Sequence, residues 1–442
     1  MKKSSISIED VPLSGFHQKL TVAAWGGSFV DGYVLSIVGV VMLQMSLAAG
    51  LDSFWEGMIA AAALIGIFFG GLLGGWLTNQ LGRKRILFVG PLIFMFASLA
   101  HLWVESAPML FAMRLLIGVA VGIEYPVATA MLVEFMPRRS RGPRLAALAL
   151  NWFIGAACAY AVGELILRSG VGDAWRIALA SGAFFGALLF MVRVGLPESP
   201  RWLIAKGRAK AAELVIKRVY GPQFSLANLP EASAEQRLPL SALLRSGYGK
   251  RLFFVVMFWT CSIVPVFAVY AFAPKVLAAL KLDSNMGSLG SVVITVFFVL
   301  GCLVCTWLIN HIGRRNMLIY SFLLSTLALS GLAFNPAGHG MLVVVFFSLY
   351  ALFMGGAQVL ALVYPNEIFP TEMRALAVGV GTAFSRIGAA VGTYLVPISL
   401  ESLGVEQTLY IAILITLVGL VISWMMAPET SSLNLQQAAA LN

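Results

Sequence analysis

The stretch Trp76-Leu77-Thr78-Asn79-Gln80-Leu81-Gly82-Arg83-Lys84 returns 231 residues later as Trp307-Leu308-Ile309-Asn310-His311-Ile312-Gly313-Arg314-Arg315. Two further pairs keep nearly the same offset: Glu134-x2-Pro137-x3-Arg141 against Glu367-x2-Pro370-x3-Arg374, and Leu196-Pro197-Glu198-Ser199 against Ala427-Pro428-Glu429-Thr430. Three echoes in one register mean one unit written twice. Each echo closes an apolar run, the pattern of two parallel repeats related by an axis along a membrane normal.

Composition says what the unit is. With 60% hydrophobic and 11% charged residues and a mean hydropathy of +0.89, a water-soluble globule would have too little polar surface, whereas a bilayer accepts the excess. Apolar stretches of about 20 residues predict helices over 19–46, 53–77, 86–105, 109–132, 145–167, 176–195, 251–275, 286–309, 316–334, 341–363, 375–398 and 406–426. The expected fold is therefore an all-α integral membrane protein, twelve transmembrane helices in two pseudo-symmetric six-helix bundles. Residues 1–195 form the first bundle, 196–250 a linker and 251–442 the second.

The net charge of +10 follows the membrane rather than a nucleic acid. Of the 30 Lys and Arg, Arg168, Arg176, Lys275 and Lys281 are expected in loops on one face and Arg114 and Arg386 inside helices. All others fall on the opposite face. The positive-inside rule makes that face, with both termini, cytoplasmic. The linker carries nine basic residues, and Ile204–Tyr220 has the spacing of one short amphipathic helix under the membrane. It reads either as a gating element or as a solvated connection. Residues 1–19 are polar and precede a full-length span, so the first helix is expected to be retained rather than cleaved as a signal. Cys158, Cys261, Cys302 and Cys305 all lie in apolar spans, where thiols act as small packing residues.

Gly66-x3-Gly70-x3-Gly74 and Gly71-x3-Gly75 strip one face of the second span and predict a close helix–helix seam. At its end Gly82 supplies the freedom for a tight hairpin. Arg83 and Lys84 then either anchor topology or pair with acids such as Glu134, forming a latch that a rocking machine makes and breaks.

These motifs carry a resemblance. The turn at 75–85, Glu134-Phe135-Met136-Pro137-x3-Arg141, Pro197-Glu198-Ser199-Pro200-Arg201-Trp202-Leu203 and Tyr364-Pro365-Asn366-Glu367-Ile368-Phe369-Pro370-Thr371 together resemble the major facilitator superfamily over nearly the whole chain. The Pro-Glu-Ser-Pro-Arg-Trp-Leu signature is shared with sugar porters, aromatic-acid proton symporters, the synaptic-vesicle-protein-like group and organic anion and cation transporters. Phe29-Val30-Asp31-Gly32-Tyr33 is most similar to the bacterial metabolite and aromatic-acid symporter branch. The resemblance implies a cytoplasmic gate at Asn79, Gly82, Arg83, Lys84, Glu134 and Arg141, with Asn310, Gly313, Arg314, Glu367 and Arg374 as its second copy. The chain departs from the pattern where Asn79 and Asn310 replace an acid, and where Val34 replaces the second acid of the aromatic-acid symporters.

Charges that break the repeat point to function. The local offset sets Ser262 opposite Asp31, Phe347 opposite Arg114, Ala357 opposite Glu124 and Phe153 opposite Arg386. A mid-membrane charge costs about 2.5–3.5 kcal/mol on insertion scales, so four without twins imply a polar cavity between the halves. Asp31 is expected to carry the proton, released or bound as Arg114 moves towards or away from it; the alternative is a permanent ion pair. In sugar porters, by resemblance, the acid partner of such an arginine falls at Val34, one turn from Asp31. Glu124, about 15 Å further along the fourth span from Arg114, reads as a second proton site, a gate or a packing acid. Arg386 offers a bidentate fork to a carboxylate, phosphate or sulfate. The resemblance agrees, since organic anion transporters have arginine here; the alternative is neutralisation by Glu367 or another acid. Tyr33, Tyr125, Asn151, Trp152, Trp259, Tyr270 and Gln358 are the candidate cavity residues, their aromatic members suiting a ring-bearing substrate.

The expected function is a proton-coupled symporter that imports a small organic anion by alternating access. Its rivals are an efflux antiporter, a neutral sugar or polyol symporter and a non-transporting nutrient sensor, which the short stretch after the last span disfavours. The sequence has no His-Glu-x2-His, no Gly-x-Ser-x-Gly and no phosphate loop, so no enzyme, metal or cofactor is implied. Expected partners are the anion, protons and the lipid bilayer, with no nucleic acid. The chain is expected to act as a monomer in a bacterial inner membrane.

Overall fold

The structure is a computed structural model that describes residues 7–229, 247–282, 284–334, 340–369 and 371–430. Twelve of its helices are long and apolar enough to cross a membrane, and no strand occurs among the described residues. The spans are Gly15–Ala49, Ser53–Leu81, Arg83–Trp103, Ala107–Phe135, Arg138–Leu167 and Ala174–Arg193 in the first half, then Gly249–Ala279, Ser284–Ile312, Arg314–Ala333, Gly340–Ile368, Thr371–Ser402 and Val405–Met426 in the second. They are numbered here 1 to 12. Most run past the apolar stretch by a turn or so, because helical hydrogen bonding continues into the interface after hydropathy ends.

Local chemistry sets the breaks. Gly50, with φ 59°, closes span 1, and Asp52 caps span 2 by accepting from the Trp55 N–H at 2.8 Å. Span 6 is interrupted at Ser181, whose hydroxyl donates to the Ala178 carbonyl at 2.6 Å and meets the Tyr33 hydroxyl at 2.6 Å. The predicted single helix Ile204–Tyr220 is instead two, Pro200–Ala205 and Ala209–Tyr220. Gly207 at φ 72° makes the turn between them. The second helix buries Ala212 against Trp202 and Leu203 and Ile216 against Ile8 and Phe224, and the Tyr220 hydroxyl donates to the Phe135 carbonyl at 3.0 Å. Burial pushes the Tyr220 phenol above its usual range.

The glycine face of span 2 meets span 4 backbone to backbone. A Cβ on Gly70 would sit 2.2 Å from the Val119 carbonyl oxygen, and one on Gly118 2.0 Å from that of Ala63. The second half repeats the seam between spans 8 and 10, where a Cβ on Gly301 would lie 2.1 Å from the Leu352 carbonyl oxygen.

The halves touch through spans 1 and 7, 2 and 11, and 5 and 8. Their contacts run from mid-membrane to the end away from the termini. Trp152 packs edge-on to Tyr270 at 5.5 Å and Phe153 stacks on Phe298 at 5.9 Å. The Tyr160 hydroxyl donates to the Tyr270 carbonyl at 2.8 Å. Nearer the outer end Gly57 lies under Tyr394, and Lys275 pairs with Glu56, which also accepts from Ser46 at 2.5 Å. The cleft therefore opens toward the terminal end.

Gly118→Val should destabilise the fold by about 1–3 kcal/mol through overpacking, whereas Gly379→Ala, with nothing within 4 Å of the new Cβ, should be neutral. Thermal unfolding in detergent checks both. Equal melting temperatures for wild type and Gly118→Val would refute the seam.

Candidate substrate and proton site

Span 1 carries Asp31 at mid-membrane, 3% exposed. It lines a cavity with Ala24, Ser28, Glu124, Tyr125, Ala128, Thr129 and Leu148, all from the first half. From the second half Arg386 on span 11 reaches toward this cavity. Its charge acts on both Asp31 and Tyr125, and its guanidinium lies 5.3 Å from the Phe267 ring centroid. Among the described residues no hydrogen bond or ion pair engages either Asp31 or Arg386, and Asp31 Oδ1 and Arg386 Nε are buried without partners. Tyr125, 45% exposed, lines the cavity with Asp31 and lies in the field of Arg386.

The expected Asp31–Arg114 couple is not made. Arg114 Nη1 donates to the Val34 carbonyl at 2.6 Å and Nη2 to that of Leu35 at 3.3 Å. The reason is vertical register: Asp31 is level with Glu124 and Tyr125, and Arg114 lies about 15 Å along span 4 from them. Nor does Glu367 neutralise Arg386, since it accepts from Arg314 at 3.3 Å and from Thr430 at 2.5 Å.

Glu124 has a partner that the sequence reading placed on the basic face. Arg193, fully buried in the last turn of span 6, forms a bidentate pair with it: Nη1 donates to Glu124 Oε2 at 2.8 Å and Nη2 to Oε1. Arg193 also donates to the carbonyls of Leu87 at 2.6 Å and Ala23 at 3.3 Å. Gly27 and Gly90 clear room for the carboxylate, so spans 1, 3, 4 and 6 meet on this one pair. The one cation on its own helix, Arg114, lies about 15 Å away along span 4, so a buried Glu124 had to find its partner on another span.

The other expected cavity residues divide. Tyr270 and Arg114 line a second cavity with Ser36, Phe267 and Thr393, and Trp152 packs against Tyr270 at its edge. Tyr33 is turned away, fully buried with its hydroxyl on Ser181 and its ring against Phe185. Asn151 is spent on its own helix, donating to the Ala147 carbonyl at 2.8 Å. Trp259 packs on span 11 at Gly381, and Gln358 Nε2 is buried without a partner outside both cavities. Cys302 and Cys305 donate to the Gly355 and Gly356 carbonyls at 3.8 Å each, as packing residues.

At the terminal end the sequence repeat becomes a structural one. Arg83 bonds Glu134 at 3.2 Å, Glu134 accepts from Ser199, and Glu198 accepts from the Arg83 and Lys84 backbone N–H groups at 2.8 and 3.1 Å. In the second half Arg314 bonds Glu367, Glu367 accepts from Thr430, and Glu429 accepts from the Arg314 and Arg315 N–H groups at 3.0 and 3.1 Å. Gly82 (φ 97°) and Gly313 (φ 88°) let each glutamate lie against the turn. Asn79 contributes a long contact, its Oδ1 3.4 Å from Arg83 Nη1, and its carbonyl accepts from Trp202 at 2.9 Å. Arg141 bonds Glu9 at 3.1 Å, which Arg201 shares at 3.1 Å. Lys84 enters through its backbone N–H. The side chains of Asn310 and Arg374 lie outside the described residues.

The family model described as sugar (and other) transporter matches residues 19–441. The chain belongs to this family of the major facilitator superfamily. It is a multi-pass membrane transporter of small molecules, and not an enzyme. It is 38% identical over 440 residues to the putative metabolite transport protein YaaU of Escherichia coli (strain K12), covering 98% of this chain and 97% of that one. It is 34% identical over 438 residues to the inner membrane metabolite transport protein YgcS of the same strain, covering 99% and 97%. The fold is that of the xylose transporter XylE from E. coli in a partially occluded inward open conformation. The TM-score is 0.81 at 20% identity, covering 95% of this chain and 100% of that one.

Glu124→Gln should cost about 3–5 kcal/mol because it strands a buried arginine, whereas Glu124→Leu combined with Arg193→Met should recover most of that loss. Denaturation of detergent-solubilised protein distinguishes them. A double variant as unstable as the single one would contradict the pair's structural role.

Proposed function

We propose that this transporter imports a small organic anion together with protons, in alternating access about Asp31 and Arg386. The observation that carries the reading is the relation of these two residues: opposite charges, one from each half, in electrostatic reach across a cleft, neither engaged by a hydrogen bond among the described residues. An ionised Asp31 and a substrate carboxylate compete for one guanidinium. Protonation of Asp31 removes the competitor, so anion and proton bind together. After both leave, Asp31 balances Arg386 again and the empty halves can rock back.

The charge count supports an anion. In the mid-membrane region two acids, Asp31 and Glu124, face three arginines, Arg114, Arg193 and Arg386. Arg386 suits a carboxylate through its planar fork, and Tyr125 and Phe267 offer faces to a ring. The basic face supports a cytoplasmic side for both termini. An inward proton gradient then offsets the cost of moving an anion into a negative compartment, about 2.3 kcal/mol per charge per 100 mV. The terminal-end latches, repeated around Glu134 and Glu367, are the elements that would re-form as the cleft changes sides. Among more distant relatives, the niacin transporter NiaP of Acinetobacter baylyi, 25% identical over 386 residues, favours a carboxylate cargo. The arabinose–proton symporter of Bacillus subtilis, 25% identical over 463 residues, favours proton coupling and gives a neutral sugar as the second reading.

The test is a panel of aromatic acids, sugar acids, dicarboxylates, sugars and cations offered to proteoliposomes that contain a pH-sensitive dye. Organic anions alone should drive proton entry, and Arg386→Ala should abolish uptake. Asp31→Asn should stop net proton entry while leaving anion exchange. Apparent anion affinity should rise by up to about tenfold per unit fall in pH until Asp31 is fully protonated, the slope for one linked proton. Sugar-driven proton entry with full activity in Arg386→Ala would replace the anion by a neutral substrate.

A further inference from the structure

Arg114 is a buried cation for which the fold supplies no carboxylate. It is 1% exposed, its two terminal nitrogens are spent on the Val34 and Leu35 carbonyls, and its Nε is buried without a partner. Glu124 is engaged by Arg193 and Glu56 by Lys275, and Asp31 lines the other cavity, level with Glu124 and Tyr125. The titratable group that does feel Arg114 is His101, which brings no negative charge.

The guanidinium borders a small cavity shared by both halves. Ser36 of span 1, Tyr270 of span 7 and Thr393 of span 11 line it with Arg114. Ser36 Oγ and Thr393 Oγ1 are each buried with no hydrogen-bond partner among the described residues, whereas the Tyr270 ring stacks on Phe298, away from Arg114. An orphaned buried polar group destabilises the fold, and an uncompensated charge does so more. Two hydroxyls and one guanidinium N–H around a single cavity are an arrangement that apolar packing does not explain. A water molecule would satisfy donors but leave the positive charge.

We propose that this cavity is a small-anion site, in which one halide or one carboxylate-sized group accepts from Arg114, Ser36 and Thr393 and supplies the missing negative charge. It is separate from the Asp31–Arg386 cleft, with Phe267 as the wall between them. Ser36 and Arg114 belong to one half and Tyr270 and Thr393 to the other, so the bound anion closes the outer seam and leaves when the halves part there. The anion comes either from the medium or from the carboxylate of a cargo molecule, and the two sources separate by experiment.

The full-length protein in detergent is titrated with sodium chloride or sodium acetate, a bulky sulfonate salt holding ionic strength constant, while tryptophan fluorescence and melting temperature are followed. Trp152, edge-on to Tyr270, is the reporter. A saturable response to chloride assigns the site to an inorganic anion, and one to acetate alone assigns it to a carboxylate. Either response should disappear in Arg114→Gln. It should also disappear in Val34→Asp, which sets a carboxylate on the helix turn that Arg114 already contacts and does not depend on folding of the arginine variant. Thr393→Val should weaken apparent affinity about tenfold. Arg386→Ala should keep the response, which separates this site from the substrate anchor. No saturable response to either anion, or a response that survives both Arg114→Gln and Val34→Asp, would overturn the proposal.

Discussion

Arginine charge buried at mid-membrane, with too few acids to balance it, is the constraint on which the rest of this structure depends. A bilayer interior tolerates an ionised side chain only when it is paired, hydrated or in a cavity. Arg193 meets the demand with a bidentate carboxylate and turns it into architecture, since four spans close on the Glu124 pair. Arg386 meets it across a gap, against an aspartate of the opposite half. Arg114 meets it only in part, with two helix carbonyls. Three arginines thus meet one demand in three ways.

The repeated elements play the complementary part. The Gly–Arg turn, the glutamate at the end of spans 4 and 10 and the Pro-Glu-Ser or Pro-Glu-Thr segment form the same small network in each half, bond for bond. Each network stiffens its own half at the terminal end. The contacts between halves lie toward the other end, from Trp152–Tyr270 to Glu56–Lys275. Two rigid bodies hinged by a seam at one end are what alternating access requires.

Much of this was legible in the sequence. Hydropathy located the twelve spans, and the repeat located the latch residues, because both signals are local or recur in register. The close seam of spans 2 and 4 was written in Gly66, Gly70 and Gly74. What the sequence did not show depends on helix rotation and vertical register. Arg193 stands at the end of an apolar run, where a basic residue normally snorkels to the interface; only the three-dimensional position of Glu124 reveals it as internal. Arg114 and Asp31 sit on neighbouring spans at different depths, which no spacing within one helix encodes. Tyr33 follows Asp31 by two positions, so it points to another face, into span 6. The break of the linker helix at Gly207 turned on a single backbone conformation that its alanine periodicity masked.

Competition between a proton-free Asp31 and a substrate anion for Arg386 is the central claim, and proton uptake on binding tests it most directly. Calorimetric titration of the protein with an active anion, in buffers of different ionisation enthalpy at one pH above the titration of Asp31, gives the number of protons taken up per anion bound. The competition requires about one proton linked to binding, and none in Asp31→Asn. Anion binding without proton uptake, or uptake that persists in Asp31→Asn, would contradict it.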